Sequence, residues 1–149
     1  MRLHPVHTMI IHFPAALLPM DVVFGSLAIY FSNDTLWHVG YYCVIAGLCG
    51  GWLAVLSGLF DFLTRILKHG AKATSQALTH GGIQTFMITG FTILISMEYK
   101  NPDLITSFPL WLWIVKIFLC LVLLFGNYLG GELLLKYISK DYESDNTTR

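Results

Sequence analysis

Long runs of apolar residues alternate with short polar connections along this chain. About 20 mostly apolar residues in a helix cross the hydrocarbon core of a bilayer, so each long run predicts a transmembrane helix. Four runs are long enough, and they cover residues 12–31, 37–67, 80–97 and 108–135. The pattern therefore predicts an all-α integral membrane protein.

Turn-forming residues separate the apolar runs. Residues 32–35 read Ser-Asn-Asp-Thr and residues 101–103 read Asn-Pro-Asp, which is typical of tight connections. Residues 68–79 are polar, and a surface helix would fit there. Connections this short predict an antiparallel four-helix bundle with both termini on the same side. We expect a transmembrane domain over residues 1–139 and a polar C-terminal tail over residues 140–149.

Small side chains recur at helical spacing in two of the predicted spans. Lipid gives helices no hydrophobic reason to associate, so close contact between them depends on small residues and polar bonds. We therefore expect these faces to pack against neighbouring helices. The residues are Ala46, Gly50, Ala54 and Gly58 in the second span, and Gly126 and Gly130 in the fourth.

The composition agrees with a membrane location. Hydrophobic residues make up 55% of the 149 and charged residues 12%, against about 25% charged in soluble domains. Nine basic residues balance nine acidic ones, so there is no basic excess to meet a phosphate backbone, and nucleic-acid binding is excluded. No segment has the pattern of a removable signal peptide. We expect the lipid bilayer of a cytoplasmic membrane to surround the chain.

The positions of lysine and arginine predict the orientation. Seven of the nine lie at the N-terminus, between the second and third spans, or in the C-terminal region. An even number of spans places these three regions on one side, and the positive-inside rule makes that side cytoplasmic. Both termini are therefore expected in the cytoplasm.

Four ionisable residues are expected at one depth, one in each span. His12 and His80 begin the first and third spans, whereas Asp61 and Glu132 lie near the ends of the second and fourth. Ionisable groups are costly at membrane depth, which makes them functional candidates. Two imidazoles and two carboxylates predict a metal site of the kind built inside four-helix bundles, suited to zinc, iron or manganese.

The same histidines also allow a b-type haem. His12 and His80 would be its axial ligands, His7 or His4 could replace one of them, and the two carboxylates would fix the imidazole tautomers. Covalent haem attachment is excluded because the chain has no Cys-x-x-Cys-His. Repulsion between the carboxylates and haem propionates favours a bare metal ion instead. A third alternative is that the four side chains only tie helix ends together.

Two charged residues lie deeper in the predicted spans. Asp21 is nine residues beyond His12, about 13 Å further along a helix and on its opposite side. We expect a buried pair between Asp21 and Lys116. A proton path through Asp21, and a Lys116 side chain that reaches the outer surface, are the alternatives.

The chain resembles a bacterial family of predicted four-helix membrane proteins, domain of unknown function 2231. The similarity runs from about Leu3 to Leu135, although Thr8 stands where the family more often has proline. Some relatives are fused to Rieske-type or cytochrome c-type modules. The resemblance therefore implies an electron-transfer setting in a bacterial inner membrane, and it favours haem over a bare metal ion. The residues that carry it are Leu3-His4-Pro5-Val6-His7, His12-Phe13-Pro14, Gly58-x-x-Asp61, His80 and Gly130-Gly131-Glu132-Leu133.

Together these observations predict a small membrane redox protein that binds b-type haem and transfers electrons. It would act as a membrane-bound oxidoreductase or an electron-transfer component, beside a redox partner protein or within a larger respiratory complex, and a homo-oligomer is allowed. The alternatives are a site that binds or transports a transition-metal ion, and a structural subunit of a membrane complex.

Overall fold

The structure is entirely helical in its regular elements. A computed structural model describes residues 5–64, 66–69, 71–107 and 109–146. In chain order the elements are α1 (Pro5–Ile10), α2 (His12–Phe31), α3 (Asp34–Thr64), a 3-10 turn (Ile66–His69), α4 (Ala71–Lys100), α5 (Asp103–Ser107) and α6 (Leu110–Asn146).

Four of these helices are long and apolar enough to cross a membrane. The all-α membrane class with four spans is therefore confirmed. The side on which each terminus lies and the antiparallel arrangement of the whole bundle stay predictions. The candidate spans are His12–Phe31, Asp34–Thr64, Thr74–Lys100 and Leu110–Glu132.

The helices and the apolar runs do not end at the same residues. α3 covers Asp34–Thr64 where the apolar run covers 37–67. α4 begins at Ala71, so most of the polar connection expected at 68–79 forms its first turns. α6 continues to Asn146, through most of the expected polar tail. An apolar run measures the depth of the bilayer, whereas a helix continues until propensity or a cap ends it.

A two-residue turn joins α2 to α3. Ser32 ends α2 in the left-handed region, with φ 49° and ψ 46°. The Asn33 amide then donates to the Ala28 carbonyl at 3.1 Å, and the Asn33 side-chain oxygen accepts from the Thr35 amide at 3.0 Å. These bonds satisfy groups that the two helix ends would otherwise leave open. The tight connection expected at residues 32–35 is confirmed.

Glycines allow α2 and α3 to approach closely. A side chain at Gly47 would collide with Leu18, because a Cβ there would lie 2.9 Å from Leu18 Cδ2. Gly50 meets Phe13 in the same way, with 2.7 Å to Phe13 Cβ. Ala46, which was expected on this face, is exposed instead.

A continuous apolar core connects the helices. Ile88 of α4 lies against Gly51 of α3, and the Trp52 indole donates to the Thr92 hydroxyl at 3.1 Å across the same pair of helices. On the other side of α4, Gly90 receives Leu119 of α6. The buried core residues are Leu18, Val44, Leu48, Met87, Ile88, Phe91, Leu94, Leu112, Leu119 and Leu123.

Candidate functional site

The short helix α1 places His7 against α3. His7 Nδ1 lies 2.9 Å from Ser57 Oγ. The Ser57 hydroxyl donates its own hydrogen to the Ala54 carbonyl at 3.0 Å. A hydroxyl has a single hydrogen, so with that hydrogen on the Ala54 carbonyl Ser57 accepts from His7, and Nδ1 carries the proton. In a neutral His7 the lone pair is therefore on Nε2.

Gly58 and Asp61 complete the surroundings of His7 on α3. The imidazole lies over Gly58, where a Cβ would be 3.0 Å from His7 Cε1. Asp61 follows on the same helix face and is 1% exposed. Burial holds the pKa of His7 below its ordinary value, although the charge of Asp61 opposes this shift; His80 lowers the pKa further. His7 therefore lies within electrostatic reach of both Asp61 and His80.

His80 lies between α4 and α6. Its Nδ1 is 2.8 Å from the Gly126 carbonyl oxygen. A carbonyl can only accept, so Nδ1 carries the proton and Nε2 again has the lone pair. The ring packs on Gly130, where a Cβ would be 2.7 Å from His80 Cε1. One turn further along α4, the Gln84 amide donates to the Asn127 side-chain oxygen at 2.8 Å.

His12 and Glu132 do not face this site. The buried positions of α2 begin at Pro14 and Leu18, and His12 is two residues before Pro14, which is about 200° around a helix. Glu132 stands in the same relation to Gly130 on α6. Both side chains are exposed. Glu132 lines an open cavity of about 140 Å³ with Ser75, Gln76, Thr79 and Leu129.

The four predicted ligands are therefore not brought together as one group. Across the described ranges, no three side chains of His, Cys, Asp or Glu are grouped so that they could hold a metal ion. His4 lies outside the described residues. The sequence offered His7 only as a substitute ligand. In the structure, His7 lies within electrostatic reach of Asp61. Haem or metal ligation by His12, Asp61, His80 and Glu132 stays a prediction.

A second polar cluster lies further along the bundle and consists of Asp21, Glu98 and Lys116, which we call the charged triad. Lys116 Nζ lies 2.5 Å from Asp21 Oδ2 and 2.5 Å from Glu98 Oε1. All three residues are buried, with exposures of 4%, 2% and 2%. The expected pair between Asp21 and Lys116 is confirmed.

The sequence reasoning missed Glu98, because it placed this residue in the loop after the third span. α4 continues to Lys100, and Glu98 lies seven residues after Phe91 and four after Leu94, both of which are buried. Extending the helical period of the core beyond the apolar run would have indicated its inward position.

The triad residues belong to α2, α4 and α6, and Gly40 of α3 packs against Asp21. A Cβ at Gly40 would lie 2.9 Å from Asp21 Oδ1, so the carboxylate packs directly on the backbone. The triad is well separated from the histidines. Glu98 follows His80 by 18 residues on α4, which corresponds to about 27 Å along the helix.

Comparison with known proteins gives one match. A family model described as a predicted membrane protein (DUF2231) matches residues 3–140, a range that includes both polar sites. The resemblance seen in the sequence is confirmed. No curated protein and no solved structure matches the chain.

Proposed function

The chain belongs to the DUF2231 family of predicted membrane proteins, and we propose that it is a small redox protein with a transition-metal centre on His7 and His80. The observation that carries the proposal is that both imidazole rings hydrogen-bond through the same ring nitrogen. Each Nδ1–H is bound to an oxygen, on Ser57 or on Gly126, which leaves each Nε2 as a donor atom. Metal-ligating histidines nearly always have such a partner on the other nitrogen.

A bare metal ion is the first form of this centre. Asp61 supports it because this buried carboxylate lies within electrostatic reach of His7 and would compensate part of the charge of a bound cation. Two imidazole nitrogens suit iron as a redox-active ion, whereas zinc would bind without redox chemistry and make the site one for metal binding or transport. In this form His7 takes the place that the sequence gave to His12.

The iron of a b-type haem is the second form. The two histidines belong to separate helices, α1 and α4, and would hold the haem iron between these helices. Bound haem would supply one-electron chemistry. Electron transfer through it would need a redox partner protein or a respiratory complex beside the bundle.

The two forms are distinguished on purified protein from cells supplied with iron, zinc, manganese and a haem precursor. A reduced-minus-oxidised absorption spectrum detects haem, and elemental analysis detects a bare ion. We expect about one equivalent of one of them. His7→Ala and His80→Ala should lose it, whereas His12→Ala should keep it.

The matched control is His38→Ala, which removes an exposed histidine from α3 and should keep the full content. Thermal unfolding and gel filtration establish that each variant is folded. A wild-type protein with neither haem nor metal contradicts the proposal and favours a structural subunit. Folded His7 and His80 variants with unchanged content contradict it as well.

A further inference from the structure

The charged triad holds more negative than positive charge in a place that water does not reach. One ammonium, that of Lys116, lies between two carboxylates from α2 and α4. Asp21, Glu98 and Lys116 are each at most 4% exposed. With both carboxylates ionised the triad has a net charge of −1. A buried net charge is expensive, and two neighbouring carboxylates resist ionising together.

The addition of one proton neutralises this charge at the lowest cost in free energy. Two carboxyl groups that share a site commonly hold a single proton between them. Glu98 is under the direct electrostatic influence of both Lys116 and Asp21. We propose that the charged triad is a proton-binding site, in which Asp21 and Glu98 share one exchangeable proton beside the Lys116 ammonium.

The neighbouring titratable groups do not remove the need for this proton. Tyr41 on α3 is in electrostatic contact with Glu98, and Cys120 on α6 with Asp21 and Lys116. A phenol and a thiol are neutral at ordinary pH, so they add no positive charge. Lys100 and Asp103, at the end of α4 and the start of α5, are both exposed.

Glu98 lies close to the end of its helix. Glu98 is two residues before Lys100, the exposed last residue of α4. On uptake, hydronium gives its proton to one carboxylate oxygen, and a carboxylic acid and water result. The triad then changes from −1 to zero, while Lys116 stays an ammonium in both states. In this proposal the proton would exchange with the aqueous phase at this end of the bundle.

Infrared spectroscopy of the whole protein in lipid nanodiscs tests the proposal. A protonated carboxyl group has a carbonyl stretch that is separate from the bands of ionised carboxylates. We expect this band at about pH 7, where ordinary carboxyl groups are ionised, a shift of the band in D₂O, and its loss at higher pH. Glu98→Gln and Asp21→Asn should each abolish it, because one carboxylate is balanced by Lys116.

The matched control is Asp34→Asn, which removes an exposed carboxylate from the start of α3 and should keep the band. A second measurement needs no substitution. The sequence has three glutamates, Glu98, Glu132 and Glu143, so carboxyl carbon labelling by NMR can follow Glu98 in the wild type. Glu98 and the aspartate signals should report one shared proton.

Three results would overturn the proposal. The first is a wild-type protein without a carboxylic acid band above about pH 5. The second is a band that survives in both triad variants, because the acid then lies elsewhere. The third is carboxyl carbon signals that report full ionisation of Glu98 and of every aspartate at neutral pH. None of these results bears on metal or haem content at His7 and His80.

Discussion

At the residue scale, the direction in which each histidine points follows from the helix that carries it. His7 and His80 both find oxygen acceptors. From the sequence, His12 was the stronger candidate ligand, because it begins the first span beside Phe13 and Pro14. It faces outward because the buried positions of α2 are two residues out of phase with it. Depth could be predicted from the apolar runs, but the direction of each side chain required the rotation of each helix.

Gly130→Ala tests the packing of the His80 ring on Gly130. A Cβ there would lie 2.7 Å from His80 Cε1, so the ring must move and lose its bond to Gly126. We expect metal or haem affinity to fall by about 10- to 100-fold, the usual cost of misorienting a ligand. Equilibrium binding to the purified protein measures it.

Gly131→Ala is the matched control for this substitution, because nothing lies within 4 Å of a Cβ at Gly131. Its affinity should equal that of the wild type. An equal loss in both variants would mean that the glycine pair matters for helix conformation and not for the His80 ring.

His7 predicts a pH dependence of stability in the metal-free protein. Burial holds its pKa below the ordinary value, although Asp61 opposes this shift. The unfolded chain therefore binds the proton more readily. The stability that His7 contributes is fully present above about pH 6.5 and is lost as the pH falls through the lower folded value.

Thermal unfolding in the presence of a chelator measures this effect. The stability of the wild type relative to His7→Gln should decrease between about pH 7.5 and pH 5.5, across the ordinary histidine range. A relative stability that stays constant or rises toward acid would contradict the assignment.

At the scale of the helix, strict four-residue spacing was an imperfect guide to packing. Four residues turn a helix by about 400°, so such a row drifts by about 40° at each step. Gly50 and Ala54 face the interior, whereas Ala46 faces outward. The buried row of α3 instead follows Gly40, Val44, Gly47, Gly51, Ala54 and Asp61.

Gly47→Ala tests the contact between α2 and α3. The new methyl group would lie 2.9 Å from Leu18 Cδ2, and Leu18 is fully buried. Overpacking of this kind typically costs about 1–3 kcal/mol. We expect thermal unfolding in detergent to occur at a lower temperature than in the wild type.

Gly82→Ala provides the comparison for this contact, since a Cβ at Gly82 meets nothing within 4 Å. Alanine is the better helix former by about 1 kcal/mol, so this variant should be as stable as the wild type or more stable. A stabilised Gly47→Ala variant would show that the two helices can separate at no cost.

For the whole molecule, the class and the number of spans could be predicted because bilayer thickness fixes the length of an apolar run. The partner of Asp21 could also be predicted, since a buried carboxylate needs a cation and Lys116 is the lysine inside a predicted span. The inward position of Glu98 could not be predicted, because the polar residues around it resemble a loop. The position of the His7 ring depends on how α1 packs on α3. No local sequence pattern determines that packing.

Lys116→Met should destabilise the entire bundle. The substitution leaves Asp21 and Glu98 buried without their ammonium, and breaking a buried ion pair in this way costs about 3–5 kcal/mol. Thermal unfolding of the purified protein measures the loss. Adding Asp21→Asn and Glu98→Gln should restore most of the stability, and a triple variant as unstable as Lys116→Met would contradict this explanation.

The predicted orientation is tested by labelling single cysteines in intact bacterial cells. Thr35→Cys lies in the first turn of α3, directly after the α2–α3 connection, and should react with a membrane-impermeant maleimide from outside. Lys72→Cys, at the start of α4, should react only after the cells are opened. The reverse pattern would place both termini outside. The background variant lacks the natural cysteines, Cys43, Cys49 and Cys120.

The bond between Asp21 and Lys116 has a consequence for biosynthesis. The two residues are 95 positions apart, so the ribosome makes the aspartate of the first hairpin long before the lysine of the last helix. The nascent hairpin of α2 and α3 therefore enters the bilayer with an acid that lacks its counter-ion. Insertion of the final helix supplies that counter-ion, which makes completion of the chain itself the step that secures the assembled protein.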